Sequence, residues 1–302
     1  MENLVDILQC PDCSGRLRPE KDVLYCVRCV KGFPLDEGIP LLYPEDLDRD
    51  HLEEEEKLGE KMISGTGDGE PSFSDREWDK SKAEFWGCVR EETSSIEEGI
   101  FVNIGCGVDR GFLDLKRPGI ELAGLDIVPS LLKHLIRTGG LDAGIAGCVH
   151  RLPFRENSFD CLCCIDLLHH EWERSKMILA KFQRILKPGG MLFLEDINAW
   201  ALGQFHKSVL LPKPVHRLLR RVYHRIRGSE NPPAEYEFPT SVFKTRDTLD
   251  RLGFVDISTV PLNSYPNTSR QFCRFWKLAS RLDRVRRFHN FHYLISARKI
   301  EG

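Results

Sequence analysis

The sequence predicts an α/β fold: a doubly wound, mostly parallel sheet of seven strands behind a small metal-bound ribbon. Three observations carry that prediction. Four cysteines open the chain in two tight pairs, Cys10-Pro11-Asp12-Cys13 and Cys26-Val27-Arg28-Cys29. Apolar runs recur between residues 100 and 297, with helical patterns between several of them. Glycines follow the first of those runs, and an aspartate ends the second.

Each CxxC pair fits a tight turn that aims both sulfurs at one point. The residues between the pairs are long enough for a hairpin. Four thiolates then make a closed tetrahedral zinc site with Cys10, Cys13, Cys26 and Cys29 as ligands. Residues 1–43 are expected to form this zinc ribbon. So short a module barely buries a core, so metal is its expected staple.

Residues 44–74 read as an acidic or flexible linker. Glu53-Glu54-Glu55-Glu56 fits a solvated helix or a flexible segment, and Ser64-Gly65-Thr66-Gly67-Asp68-Gly69 reads as a joint. A helix is expected over 74–93, with Trp78, Phe85, Trp86 and Val89 on its apolar side. Strands are expected at 100–104, 122–127, 144–149, 159–166, 190–197, 254–260 and 291–297. Helices are expected at 129–138, 171–187 and 245–252, with Pro188-Gly189-Gly190 stopping the second of them. Continuous apolar strands alternating with helices predict a Rossmann-like, mostly parallel sheet covered on both faces, spanning 75–302. Ligands on such sheets bind at the carboxyl ends of the strands.

The 302 residues suit about two domains. A composition of 41% hydrophobic and 29% charged residues is that of an ordinary globular protein. No apolar run approaches the roughly 20 residues that cross a bilayer. The start, Met1-Glu2-Asn3-Leu4-Val5-Asp6, has no basic n-region and no apolar core of a signal peptide, so a cytoplasmic location is expected. Cys88, Cys106, Cys148, Cys161, Cys163, Cys164 and Cys273 read as free thiols acting as small core residues.

Candidate chemistry begins at Ile100-Phe101-Val102-Asn103-Ile104, which runs into Gly105-Cys106-Gly107-Val108-Asp109. Glycines at a strand end let a ligand approach the backbone closely. Asp126 ends the next strand, where a carboxylate can hold a ribose diol. Its other reading is to cap the helix that begins at Pro129. The loop lacks the third glycine of GxGxxG and the GK[ST] of a P-loop, and Asp109 disfavours a phosphate. A nucleoside carrying a sulfonium cation meets no such penalty.

These residues resemble the class I S-adenosylmethionine (SAM) methyltransferases, in the branch that includes quinone and small-molecule enzymes. Val102-Asn103-Ile104-Gly105-Cys106-Gly107 resembles their first motif, and Gly124-Leu125-Asp126-Ile127 their second. The run from Leu152-Pro153-Phe154 to Ser158-Phe159-Asp160, then Leu167-Leu168-His169-His170, then Ile185-Leu186-Lys187-Pro188-Gly189-Gly190-Met191-Leu192, match three further signatures in order. The resemblance covers about 100 residues. It implies methyl transfer from SAM, with Asn103, Gly105, Cys106, Gly107, Asp126, Ile127, Cys148, Val149 and Asp166 as cofactor-binding candidates. Two departures stand out: Asn103 replaces the acid that usually opens the first motif, and Cys148 replaces the acid of the third strand. The ribbon, with its Gly38-Ile39-Pro40 close, is similar to the small zinc-ribbon activator subunit of tRNA, rRNA and translation-factor methyltransferases.

Methyl transfer needs alignment above all, and a base only where the acceptor must lose a proton. His169 and His170, just past the fourth strand, are placed for that role; their other reading is to cap a helix and line the pocket. The branch resemblance points to a small or lipid- or sugar-linked acceptor. The ribbon resemblance points to RNA or a translation factor. An inactive, methyltransferase-like binding scaffold is the non-enzyme reading.

Charge is unevenly divided. Residues 1–200 carry 24 basic and 38 acidic residues, net −14, whereas residues 201–302 carry 19 and 8, net +11. Much of that excess falls in an insert at about 198–244. Gln204 to Arg227 hold seven Lys/Arg and no acid. Val215, Leu218, Leu219, Val222 and Ile226 follow helical spacing among Arg217, Arg220, Arg221, Arg225 and Arg227. Such a basic amphipathic helix suits a lid, an anionic membrane surface with a lipid-linked acceptor, or nucleic-acid phosphates. Its single aromatic, Tyr223, gives no stacking platform for bases. The expected location is therefore cytoplasmic, with a peripheral membrane contact as the membrane reading requires.

Overall fold

The computed structural model describes residues 2–65, 73–109, 111–201, 215, 218, 222, 238–262 and 292–301. Arg217, Arg220, Arg221, Arg225 and most of the basic insert lie outside the described residues, as do Cys273, the side chain of Trp78 and the joint from Thr66 to Gly69. No helix among the described residues is long and apolar enough to cross a membrane.

A short helix, α1 (Glu2–Ile7), leads into four ribbon strands: β1 (Leu17–Glu20), β2 (Val23–Cys26), β3 (Gly32–Asp36) and β4 (Ile39–Leu42). Helices α2 (Arg49–Gly65) and α3 (Phe73–Glu92) follow. The seven strands expected of the catalytic half all form. They are β5 (Gly99–Ile104), β6 (Ile120–Asp126), β7 (Ala143–Gly147), β8 (Phe159–Ile165), β9 (Leu186–Ile197), β10 (Phe254–Pro261) and β11 (His292–Lys299). Helices α4 (Pro129–Arg137), α5 (Ser175–Ile185) and α6 (Val242–Arg251) pack on them.

The sheet departs from the expectation in extent and in direction. Its order is β1-β2-β3-β4-β7-β6-β5-β8-β9-β11-β10, so among the described residues it has eleven strands and not seven. It is also mixed: β11 runs antiparallel to both β9 and β10, and the ribbon strands pair antiparallel. The two modules join because β4 lies parallel to β7, with Leu41 opposite Ala146 and Leu42 opposite Gly147. An edge strand exposes unpaired N–H and C=O groups that template another strand. Here the ribbon covers that edge.

Pro188-Gly189-Gly190 does not form the helix stop that the sequence predicts. The preceding helix stops at Ile185, and the three residues lie inside β9. Leu186 is already extended, at φ −71° and ψ 140°. A proline disfavours helical geometry in the residue before it, so the helix ends upstream of the motif.

Local sequence explains the other elements. Strand β8 reads Phe-Asp-Cys-Leu-Cys-Cys-Ile and is buried on both faces, as a central parallel strand must be. Burial pushes the Cys163 and Cys164 thiols well above their ordinary value, which suits core packing. Helix α4 opens on Pro129 and buries Leu131, Leu132 and Leu135 on one side. Helix α3 buries Phe85, Trp86 and Val89. The acidic stretch before it is helical: in α2, a Cβ on Gly59 would lie 2.8 Å from a Val128 methyl, so this helix rests directly on the start of α4.

The ribbon has no core of its own. Leu8, Cys10, Leu17, Leu24 and Phe33 share one buried cluster with Leu125, Ile145, Leu152 and Phe154 of the catalytic half. Backbone bonds reinforce the join. Gln9 N–H donates to Pro153 O at 2.9 Å, and Arg155 N–H to Ile7 O at 2.8 Å.

Candidate active site

The carboxyl ends of β5, β6 and β7 form one half of the site. Gly105 and Gly107 adopt left-handed φ of +70° and +51°. L-residues with a side chain avoid that region, and a Cβ on Gly105 would also lie 2.7 Å from Leu167. The loop is held from below. Gly107 N–H donates to Asp126 Oδ2 at 2.9 Å, and Val128 N–H to Asp126 Oδ1 at 3.0 Å. Asp126 thus braces the glycine loop and the entry to α4. An ionised carboxylate offers about four acceptor positions, so acceptors remain for a diol. Burial raises the Asp126 pKa, partly offset by the Val128 and Gly107 N–H donors.

The other cofactor candidates are spread around this loop. Asn103 is buried at the end of β5, and its Oδ1 has no hydrogen-bond partner. Cys106 turns into the core, where its sulfur would lie 3.1 Å from a Cβ on Gly124, so only its backbone faces a ligand. Ile127 O accepts from the Tyr43 hydroxyl at 2.8 Å, which brings the end of the ribbon to the carboxyl end of β6. Cys148 and Val149 are buried just beyond β7, and burial raises the Cys148 pKa. Asp109, which argued against a phosphate, is tied to Trp86 Nε1 at 3.0 Å and to Gly111 N–H at 2.8 Å.

The residues fit SAM on structural grounds. An orphaned buried acceptor, Asn103 Oδ1, suits a donor on the ligand. The side-chain-free turn at Gly105 and Gly107 gives a cradle, and Asp126 supplies acceptors for a diol.

The ends of β8, β9 and β11 form the second half, and they are strongly polar. Asp166 follows β8 in a left-handed conformation, φ +52°, a strain that costs about 1–3 kcal/mol and clusters at functional sites. Lys82 from α3 lies 2.5 Å from Asp166 Oδ2 and 3.0 Å from Glu195 Oε2. His292 closes the group, with Nδ1 3.6 Å from Glu195 Oε1. Burial works against the Lys82 ammonium, but Glu195 and Asp166 outweigh it and hold it protonated. Burial likewise works against the Asp166 carboxylate, and Lys82 overrides it and lowers the pKa. Glu195 is pushed up to about 8 by burial, and His292 down to about 4 by the same cause. Asp166, Glu195 and His292 also have the spacing of a cation site. The Lys82 ammonium already supplies a positive charge between the Asp166 and Glu195 side chains.

Beside this group, His169 is buried and its Nδ1 lies 2.6 Å from Asp196 Oδ1. His170 is exposed and packs ring to ring with His169 at 4.1 Å. Of the sequence candidates, Asp166, His169 and His170 therefore gather at the second half, and the rest gather around the glycine loop. Lys82, Glu195, Asp196, Thr240 and His292 escaped sequence reasoning. The available signal was Glu195-Asp196, two acids closing an apolar strand, where chemistry concentrates.

The four ribbon cysteines also come together. Cys10 Sγ lies 3.7 Å from Cys29 Sγ, and Cys13 Sγ 3.4 Å from Cys26 Sγ. All four sulfurs lie within 4.8 Å of one another. Tetrahedral zinc, with Zn–S near 2.3 Å, separates its sulfurs by about 3.8 Å, so the donor set fits. Burial raises the Cys26 pKa, but the Cys29 and Arg28 N–H donors outweigh it and bring it to about 7.

The segment that carries the glycine loop has known relatives. Residues 102–194 match the family described as "Methyltransferase domain". A ubiquinone biosynthesis O-methyltransferase of Xylella fastidiosa (strain M23) is 30% identical over 145 residues, covering 46% of this chain and 57% of that protein. Its counterpart in Xanthomonas oryzae pv. oryzae (strain PXO99A) is 31% identical over 128 residues, covering 38% and 53%. The chain thus spans little more than half the length of these relatives. Magnesium protoporphyrin IX methyltransferase from Synechocystis PCC 6803, solved with bound S-adenosylhomocysteine (SAH), superposes with a TM-score of 0.55 at 13% identity, covering 83% of this chain and 100% of that one. The chain thus shares the α/β fold of that SAH-bound methyltransferase, and its residues 102–194 match a methyltransferase domain.

Proposed function

We propose that the protein transfers a methyl group from SAM to a hydroxyl-bearing acceptor that is small or lipid- or sugar-linked. The observation that carries this reading is the Gly105–Gly107 turn clamped by Asp126, inside a segment that matches a methyltransferase domain. When bound, SAM supplies an electrophilic methyl group on a sulfonium. Gly105 and Gly107 admit the nucleoside to the backbone, Asp126 holds its ribose, and Asn103 Oδ1 accepts from its amino end. Cys148 and Val149 line the adenine side. Asp166 sits where the two halves meet. His169 takes the proton of the acceptor hydroxyl, and the buried surroundings keep water from competing. His170 packs against His169 and lines the entrance. Cys10, Cys13, Cys26 and Cys29 bind one structural zinc, which steadies a ribbon that has no core of its own. Calorimetry with SAH tests the central claim: binding with about 1:1 stoichiometry is expected, and a protein that ignores both SAM and SAH is a scaffold and not an enzyme.

One observation favours a lipid-linked acceptor. Val215, Leu218 and Val222 lie at helical spacing and are 42%, 61% and 47% exposed. Arg217, Arg220, Arg221 and Arg225 interleave with them in sequence. Apolar side chains among arginines suit the surface of an anionic membrane. Replacing these four arginines by Glu should abolish flotation with anionic liposomes at low salt and leave SAH affinity within about threefold. Wild type that binds RNA and not liposomes points instead to the acceptor class suggested by the ribbon.

A further inference from the structure

Asp196 is wholly buried at the end of β9, and both of its oxygens are occupied. Oδ1 meets His169 Nδ1 at 2.6 Å and accepts from Ile197 N–H at 2.9 Å. Oδ2 accepts from the Thr240 hydroxyl at 2.7 Å. The Thr240 hydroxyl in turn lies 2.5 Å from the Tyr293 hydroxyl, itself buried. A chain of hydrogen bonds therefore runs from β11 through Thr240 and Asp196 to His169.

Thr240 has a second task. Its N–H donates to Ile197 O at 3.1 Å, and its carbonyl accepts from Ala199 N–H at 2.9 Å. These bonds pin together the two ends of the insert. Two residues earlier, Phe238 N–H donates to His169 O at 3.1 Å, and the Phe238 ring packs on Trp172 at 5.2 Å between centroids. The base of the insert and the backbone of His169 are thus one hydrogen-bonded unit.

We infer that Asp196 and Thr240 are positioning residues for His169: Asp196 fixes the imidazole with Nδ1 inward, and Thr240 anchors that carboxylate through its own hydroxyl. This rests on His169 being the base of the proposed reaction. An imidazole bound to a carboxylate through Nδ1 presents its other nitrogen, Nε2, for proton transfer. A carboxylate stabilises the imidazolium that forms when the proton arrives. Thr240 donates to the same carboxylate, so it competes with His169 for the negative charge. Its hydroxyl both anchors Asp196 and tempers its pull on the ring. Among the described residues, the other titratable groups around His169 are His170, Asp166 beside it, Glu195 on β9, His292 and Tyr293 on β11 and Lys82 from α3. The variants below leave all of them in place.

Histidine-labelled full-length protein with SAH bound allows His169 to be titrated by 15N NMR, with no acceptor needed. Asp196→Asn should lower the His169 midpoint by about one pH unit or more, because a charge in contact is lost. Thr240→Val should move it the other way, because the carboxylate then turns wholly to His169. Thr240→Ser should restore the wild-type value. Shifts of opposite sign are a signature that mere bracing cannot give. A midpoint unmoved by Asp196→Asn, or Thr240→Val and Thr240→Ser behaving alike, overturns the inference. Wild type alone also tests it: a His169 that carries its neutral-state proton on Nε2 overturns it even if the variants fail to fold. Wild type that does not bind SAH overturns the methyl-transfer reading instead, so the two failures are distinguishable.

Discussion

The two halves of the site are built by opposite means. Around β5, β6 and β7 the walls are backbone and apolar side chains: two left-handed glycines, one carboxylate that serves two amides, and Tyr43 reaching in from the ribbon. Around β8, β9 and β11 the floor is ionic, with Lys82, Asp166, Glu195 and His292 buried together and His169 held by Asp196. On the proposed reading the first half receives a flat nucleoside and needs few charges, and the second handles a proton, where groups that share or relay protons need partners in a low-dielectric setting. The ribbon adds to the contrast, because among the described residues its strand pairing and its Tyr43 hydrogen bond fall on the first half. Strand β4 extends the sheet at β7, and Asp46 pairs with Arg151 at 2.7 Å just beyond Cys148 and Val149.

The largest effect should come from the zinc ribbon. Cys26→Ser with Cys29→Ser should take metal content from about one zinc per chain to none, and elemental analysis reads this directly. Because the ribbon shares its core with the catalytic half, the melting temperature should also fall, by roughly 10 °C. A ribbon that unfolds without touching the melting of the sheet would break the comparison, since the first half would then stand by itself.

Gly105→Val should come next. It adds a side chain at φ +70° and within 2.7 Å of Leu167, so SAH affinity should drop by about a hundredfold or more in calorimetry. The His169 titration in the second half should not move. If it does, the halves are coupled more tightly than their bonding indicates.

The smallest effect belongs to the ionic floor. Glu195 is raised from 4.5 to about 8 in the folded protein, so the folded state favours its protonated form. The stability it contributes is fully present below about 4.5 and is lost as pH rises through about 8. Melting temperature should therefore decline by a few degrees across that window. Glu195→Gln should flatten the decline, since Gln cannot release the proton. An identical decline in the variant means another group is responsible.

Legibility in the sequence follows the same division. The glycine loop, Asp126 and the paired cysteines could be found because each belongs to a contiguous motif with a fixed local job. The seven catalytic strands were legible from apolar runs. The ribbon's place in the sheet was not, because hydrophobic periodicity reports which residues are buried and not which edge they pair with. Lys82, Glu195 and His292 were invisible for a related reason. They are scattered along the chain from α3 to β11, and each by itself is an ordinary charged or polar residue.

By itself, the sequence determined the local chemistry: a turn that only glycine tolerates, four thiolates at metal-ligand spacing, and a histidine at the end of a buried strand. Short-range sterics and fixed spacing set these features wherever the segment lies. Only the tertiary structure decided that the ribbon continues the catalytic sheet, and that His169 meets Asp196 and through it Thr240. Such contacts join segments 27 and 44 residues apart. They exist because strand order and burial bring those segments together, where a polar group without a partner would be costly.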